Sequence, residues 1–368
     1  MFDTYALSPE HLALREAARD LVADKIAPYA ALVDEDARFP QEAYDALRAA
    51  DLHAVHVPEA YGGNGADALA TCLVIEQVAR GCASSSLIPA VNKLGSLPVL
   101  LAGTEAQKQH WLGPLAAGNA LFCYALSEAD AGSDVASIRT RAVRDGDGWV
   151  LGGVKRWITN AGHGDSYVVF AVTDSAAPRA RHISAFLVAK TDAGVSFGAP
   201  ERKLGIKGSP TREVYLDGVR LAGDRLLGAE GQGMSLAMRT LDHTRITIAA
   251  QAVGIAQGGL DLAAGYVKEA PPVRQGCGRV PGGAVHARRH GDKARGGAAA
   301  DLRRRGPFRA RRHRSDVLLR RGEVFRQRHR DGGDDRRGAA ARRVWLHPRL
   351  PGRADDAGCE DHPDLRRH

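Results

Sequence analysis

The last 98 residues contain no isoleucine, methionine, threonine, tyrosine or asparagine and only one serine. With apolar side chains this sparse and 25 arginines, residues 271–368 are expected to form no packed core. No run of eighteen apolar residues occurs anywhere, and the N-terminus carries no basic-then-apolar leader. Both absences predict a protein that neither spans a membrane nor is exported. The five cysteines (Cys72, Cys82, Cys123, Cys277, Cys359) are odd in number, scattered and without CxxC spacing. That pattern argues against a zinc site and fits the reducing cytoplasm, the expected location. Charge balance is uneven along the chain. The formal +8 divides into −6 over residues 1–270 and +14 over 271–368, so the two segments follow different rules.

What remains is a chain of 368 residues, long enough for two or three domains. Residues 8–118 read as helices. Ser8-Pro9-Glu10 is an N-cap with proline at the first helical position, and Leu12, Ala17, Leu21 and Ile26 recur before Pro28. Further helices are expected over Pro40–Leu52, Ala66–Arg80 and Ser85–Leu101, with Thr104-x-x-Gln107 as a capping box for a short last one. From Leu121 the period changes. Gly146-Asp147-Gly148 is a hairpin turn before the strand Trp149–Thr159, and strands are expected at Tyr167–Thr173, Ile183–Val188, Val195–Phe197 and Glu213–Leu216. This middle part reads as a small β-barrel or sandwich. Near Gly231 the chain returns to a helix or helix pair running to Glu269, with Met234, Ala237, Leu241, Ile248, Val253, Ile255 and Leu260 near one face.

Two stretches carry chemistry. Tyr124-Ala125-Leu126-Ser127-Glu128-Ala129-Asp130-Ala131-Gly132-Ser133-Asp134 leaves a strand for a loop of small residues and hydroxyls, where backbone can approach a flat ligand. Trp157-Ile158-Thr159 ends the second strand with an indole and a hydroxyl. The first resembles the Ala-Leu-Ser-Glu-x-x-Ala-Gly-Ser-Asp signature of the acyl-CoA dehydrogenases, and the second resembles that family's other flavin contact. The similarity runs from about Ala6 to Glu269 and is nearest to bacterial short- or branched-chain members.

The resemblance implies an α+β fold of three parts: a helical domain over 1–119, a β domain over 120–228 and the start of a helical domain over 229–269. It implies FAD as cofactor, acyl-CoA as substrate, α,β-dehydrogenation to the 2-enoyl-CoA, an electron-transfer flavoprotein as acceptor, and a homo-oligomer. By the same correspondence Tyr124, Ala125, Leu126 and Ser127 line the flavin, Thr159 donates toward its N5 and Trp157 and Ile158 lie against the ring system. Ser133 is implied to contact the cofactor and to reach the CoA arm of the substrate; read without the family, it could instead cap the turn at Gly132.

Asp242-His243-Thr244-Arg245 resembles the family's Asp-x-Thr-Arg below the CoA, implying substrate contacts from Asp242, Thr244 and Arg245. A guanidinium suits oxygen pairs, although a surface ion pair is the other reading of Arg245. The family gives His243 no role. Lys203 to Thr211 resembles the loop bordering the acyl cavity, with Gly205 and Gly208 allowing tight turns and both lysines expected in solvent. Gly231-x-Gly233 follows no strand of a βαβ unit and is rejected as a dinucleotide motif.

Past Glu269 the resemblance stops. The family's Arg-x-Phe-Gly flavin contact and its Tyr-Glu-Gly-Thr motif, which carries the α-proton base, are absent. An alternative base position in the family falls on Thr244, which cannot serve, so no catalytic residue is assigned. The residue set of 270–368 is what a GC-rich gene yields out of frame. Arg343 to Pro351 can be spelled so that a reading one base later gives Gly-Tyr-Gly-Tyr-Thr-Arg-Asp-Tyr, and Gly352 to His368 then permits a segment ending Tyr-Glu-Gly-Thr. The reading is a frameshift at Glu269/Ala270 with a tail that is no native domain. A competing reading makes that tail a basic arm for nucleic acid or another anion, with Arg303-Arg304-Arg305 and Arg311-Arg312-His313-Arg314 as phosphate contacts on a non-catalytic remnant.

Overall fold

The computed structural model describes residues 7–269, so the expectations for 270–368 lie outside the described residues. The Ser8 hydroxyl accepts the His11 N–H at 3.2 Å, and Pro9 opens α1 (Pro9–Leu21). One wide turn (Val22–Ile26) and a tight one (Ala27–Tyr29) follow. Pro28 has no N–H with which to continue a regular helix. Next come α2 (Ala30–Glu35), α3 (Gln41–Ala49), α4 (Ala68–Gly81), α5 (Leu87–Ala102) and α6 (Glu105–Ala116). Asp67 caps α4 by accepting the Ala70 N–H at 2.7 Å. Both halves of the Thr104–Gln107 capping box form, at 3.2 and 2.9 Å, and the Gln107 amide also donates to the Asp224 and Leu226 carbonyls.

Eight strands follow: β1 (Phe122–Ala125), β2 (Arg141–Asp145), β3 (Gly148–Thr159), β4 (Ser166–Val172), β5 (Ile183–Ala189), β6 (Val195–Phe197), β7 (Thr211–Leu221) and β8 (Leu226–Leu227). They form one sheet in the order β6-β7-β3-β2-β4-β5-β8, with β1 parallel to β4. The strands expected as a barrel or sandwich form a single sheet. Trp149 and Leu151 of β3 and Val214 and Leu216 of β7 share one buried cluster with Tyr167 and Val169 of β4 and Phe186 of β5. A second cluster joins α5, α6, β1, β4 and β5 to the last helix through Val99, Leu112, Phe122, Phe170, Leu187 and Leu236.

That last helix, α7 (Gly233–Glu269), is continuous rather than a pair. Its length and composition would suit a membrane span, yet Thr240, Thr244, Thr247 and Gln251 are buried along it and Gln251 donates to the Ser86 hydroxyl beside α5. These contacts make it a packed helix of the fold. Gly254 and Gly258 bring it against α4 so closely that an added Cβ would lie 2.2 Å from the Glu76 and Arg80 carbonyl oxygens respectively.

Candidate active site

The site is assembled where β1 and β3 end side by side. α5 fixes β1 from behind. The Asn92 carboxamide accepts the Phe122 N–H at 3.0 Å, and Gly95 leaves no room for a Cβ against Phe122 and Cys123. Tyr124 sets its ring beside Phe170 (5.1 Å between centroids) and its hydroxyl 3.5 Å from the Ala237 carbonyl of α7. Burial raises the Tyr124 pKa, so the phenol stays neutral. Ala125 and Leu126 are buried and Ser127 is half-buried. The chain then folds back on itself, Glu128 and Ala131 exchanging two backbone hydrogen bonds at 3.1 Å.

On the facing strand, Trp157 has a φ of +58° at a bulge between Lys155 and Ile158. A left-handed conformation costs a bulky residue on the order of 1–3 kcal/mol, and such strain concentrates at functional sites. Here it presents the indole outward, 48 % exposed, with the Arg156 guanidinium 5.3 Å from the ring centre. Ile158 turns inward and is buried, while Thr159, paired with Thr211, is half-buried. The Arg156 N–H donates to the Ser127 carbonyl at 2.9 Å, a direct link between the two stretches. Neither the Ser127 nor the Thr159 hydroxyl has a protein partner among the described residues. An exposed indole held in a strained bulge beside two uncommitted hydroxyls fits a flat heteroaromatic ring with polar edges, such as a flavin.

Two residues of this site, Lys155 and Asn160, have no counterpart in the motif reading, and Glu128 stands in the first motif without an assigned role. Lys155 and Glu128 form a buried ion pair at 2.8 Å, and Asn160, at φ +66°, donates from its backbone to the Pro210 carbonyl. The signal for Lys155 was its phase: it follows Trp149 and Leu151 on the inward side of β3.

Ser133 is exposed and makes no side-chain hydrogen bond among the described residues, so the turn-cap reading is not what forms. On α7, Asp242 and Arg245 are exposed and paired with each other at 3.2 Å. Thr244 is buried, its hydroxyl donating to the Thr240 carbonyl at 2.9 Å. Burial, then the charges of Lys93 and Arg239, holds the His243 imidazole below its ordinary pKa.

The loop 203–211 corrects two expectations. Lys203 is not in solvent; its ammonium donates to the Ser209 carbonyl and the Thr211 hydroxyl, and burial lowers its pKa. Lys207 approaches Asp34 at 3.8 Å. The left-handed position is Ile206, not Gly205, which has open space around it. Gly208 is required, because a Cβ there would strike Val33. The Gly231-x-Gly233 pair has a packing role. Gly231 sits at φ +79° with its N–H on the Ser184 hydroxyl (2.9 Å), and a Cβ on Gly233 would meet the Ile183–Ser184 backbone.

Helices, one eight-stranded sheet carrying a left-handed tryptophan and a closing helix compose an architecture shared with known FAD-dependent dehydrogenases. The acyl-CoA dehydrogenase N-terminal, middle and C-terminal domains match residues 8–119, 123–219 and 231–275. The probable acyl-CoA dehydrogenase FadE25 of Mycobacterium tuberculosis (strain ATCC 25618 / H37Rv) is 57 % identical over 268 residues, covering 73 % of this chain and 69 % of that protein. Butyryl-CoA dehydrogenase from Megasphaera elsdenii superposes with a TM-score of 0.77 at 30 % identity, over 81 % of this chain and 79 % of that one. An acyl-CoA dehydrogenase complexed with FAD from Bacillus anthracis gives 0.75 at 31 % identity, over 81 % and 50 %. The chain belongs to the acyl-CoA dehydrogenase family, FAD-dependent oxidoreductases acting on acyl-CoA.

Proposed function

We propose that residues 7–269 hold FAD between Tyr124–Ser127 and Trp157–Thr159, in a site built to dehydrogenate a short straight or branched acyl-CoA between its α and β carbons. The observation that carries this reading is the pair of unpartnered hydroxyls flanking the exposed, left-handed Trp157. Bound FAD supplies a two-electron acceptor. Ser127 and Thr159 would hydrogen-bond the edges of its ring system, and Trp157 would cover the ring and exclude water. Ser133, Asp242 and Arg245 would face the CoA arm, with Thr244 packed beneath them. An electron-transfer flavoprotein is the proposed acceptor, and the cytoplasm the proposed location.

The reading extends to what this chain does poorly. The α proton needs a carboxylate to receive it. Neither Thr244 nor any part of the family signature beyond Glu269 supplies one, so we take this chain to be impaired through a frameshift after Glu269, in turnover and in subunit assembly. Equilibrium titration of FAD into the 368-residue protein tests the site. Ser127→Ala and Thr159→Ala should each weaken binding by about tenfold, the loss of one hydrogen bond to a polar ring edge. Binding unaffected by either change would refute the placement.

A further inference from the structure

Three consecutive residues of β3 meet the end of β1, and each does something different. Lys155 is fully buried, and its ammonium donates to the Leu126 carbonyl at 3.1 Å and to Glu128 Oε1 at 2.8 Å. Arg156 donates its N–H to the Ser127 carbonyl, and Trp157 presents its indole. The carbonyls of two successive ring-lining residues are therefore gripped from β3, immediately before the strained bulge. Glu128 is occupied on both oxygens: Oε1 also accepts the Thr140 N–H at 2.9 Å and the Thr140 hydroxyl at 2.6 Å, and Oε2 accepts the Arg139 N–H at 2.6 Å.

A buried ion pair is a poor way to gain stability. Both charges lose their water, and apolar groups of similar volume commonly serve as well or better. Burial pushes Lys155 down to about 8 against the pull of Glu128. For Glu128, burial acts to raise the carboxyl, but Lys155, Thr140 and Arg139 together hold it below its ordinary value. A fully buried lysine maintained at this cost points to what its other contact does, and that contact is the Leu126 carbonyl.

We propose that Lys155 is a positioning residue for the flavin. By holding the Leu126 carbonyl it fixes the Ser127 hydroxyl relative to Trp157–Thr159, so that FAD meets groups already in place. The inference rests on the flavin site proposed above, and Lys155 itself need not touch the cofactor.

The test separates positioning from stability in the full-length protein. Lys155→Met combined with Glu128→Gln removes the charge pair and leaves an amide to face Thr140 and Arg139. We expect its apoprotein to unfold at a urea concentration close to wild type, while the FAD Kd rises about tenfold. The bound flavin should also lose the vibrational shoulders of its visible band. A wild-type Kd and spectrum in that variant would overturn the proposal and make Lys155 a stability residue. Lys155→Met alone serves if the double variant fails to fold. It removes the bond to Leu126 while Glu128 keeps the Thr140 and Arg139 donors, so the FAD Kd should rise about tenfold as in the double variant; a wild-type Kd and flavin spectrum would overturn the assignment to Lys155. Failure of the wild-type chain to bind FAD at all would instead remove the flavin reading, and this inference with it.

Discussion

Two glycines on α7 should respond to alanine with the opposite sign from a third. In a helix interior, glycine to alanine ordinarily stabilises by about 1 kcal/mol. At Gly254 the new Cβ would lie 2.2 Å from the Glu76 carbonyl oxygen and 2.7 Å from the Ala79 Cβ, and at Gly258 it would lie 2.2 Å from the Arg80 carbonyl oxygen. Those obstacles are backbone, not flexible side-chain ends, so relief requires α4 and α7 to separate. Overpacking of this kind costs about 3 kcal/mol at its upper range, which leaves a net loss of about 2 kcal/mol at each position. Gly265 meets nothing within 4 Å, and Gly265→Ala should gain up to about 1 kcal/mol. Urea unfolding of the three variants beside wild type reads the contrast directly. Gly254→Ala and Gly258→Ala as stable as Gly265→Ala would refute the close approach of α4 to α7, and with it the placement of Thr240 and Thr244 behind the site.

Other outcomes follow from single contacts. His56 is buried, with Nε2 2.7 Å from the Ser96 hydroxyl, whose own proton goes to the Asn92 carbonyl. Burial foremost, then Lys93 and His53, lowers the His56 pKa well below 6.5, so the folded state binds fewer protons than the unfolded chain. Its contribution is whole above about pH 6.5 and is lost as pH falls below that, with a slope of up to about 1.4 kcal/mol per pH unit. His56→Phe should flatten this slope in urea titrations, and an unchanged slope would count against a neutral buried imidazole. Gln107→Ala removes half a capping box and two bonds to carbonyls near β8, and should cost about 2 kcal/mol by thermal unfolding. A change too small to measure would mean that α6 is not anchored to the sheet through this side chain. Sequencing the codons around Ala270 should reveal a second frame in which the family's flavin-contact and Tyr-Glu-Gly-Thr motifs follow in order; a frame without them ends the frameshift account.

Much of the fold could be read locally because its signals are local. Ser8 and Thr104 cap helices through bonds three residues away, and the Gly146 turn joins β2 to β3 with φ +62° at its tip. Val195–Phe197 stands as expected. Tertiary demands stayed hidden. The two-residue β8 pairs with β5 and takes a bond from the Gln107 amide of α6, and the wide turn at Val22–Ile26 reflects how α1 enters the core around Ala18 and Leu47, not a pattern of its own. The candidate site divides the same way. Its candidate residues were proposed through their resemblance to two motifs, but the bond from Arg156 to Ser127 that joins those motifs spans 29 positions of sequence. Lysine 155 is polar and falls in a strand of mixed character, so only burial from all sides reveals what it holds. Lys203 misled for the same reason: its partners, Ser209 and Thr211, become neighbours only once the loop closes.

The central claim is that this protein keeps a flavin cradle and lacks the group that takes the first proton. Mixing the chain anaerobically with excess FAD and butyryl-CoA, and following the visible flavin band of the protein-bound fraction, tests it most directly. The account predicts a yellow complex whose absorbance persists after butyryl-CoA is added. Rapid bleaching to the reduced flavin would contradict it, because a working base would then have to exist in the chain as it stands.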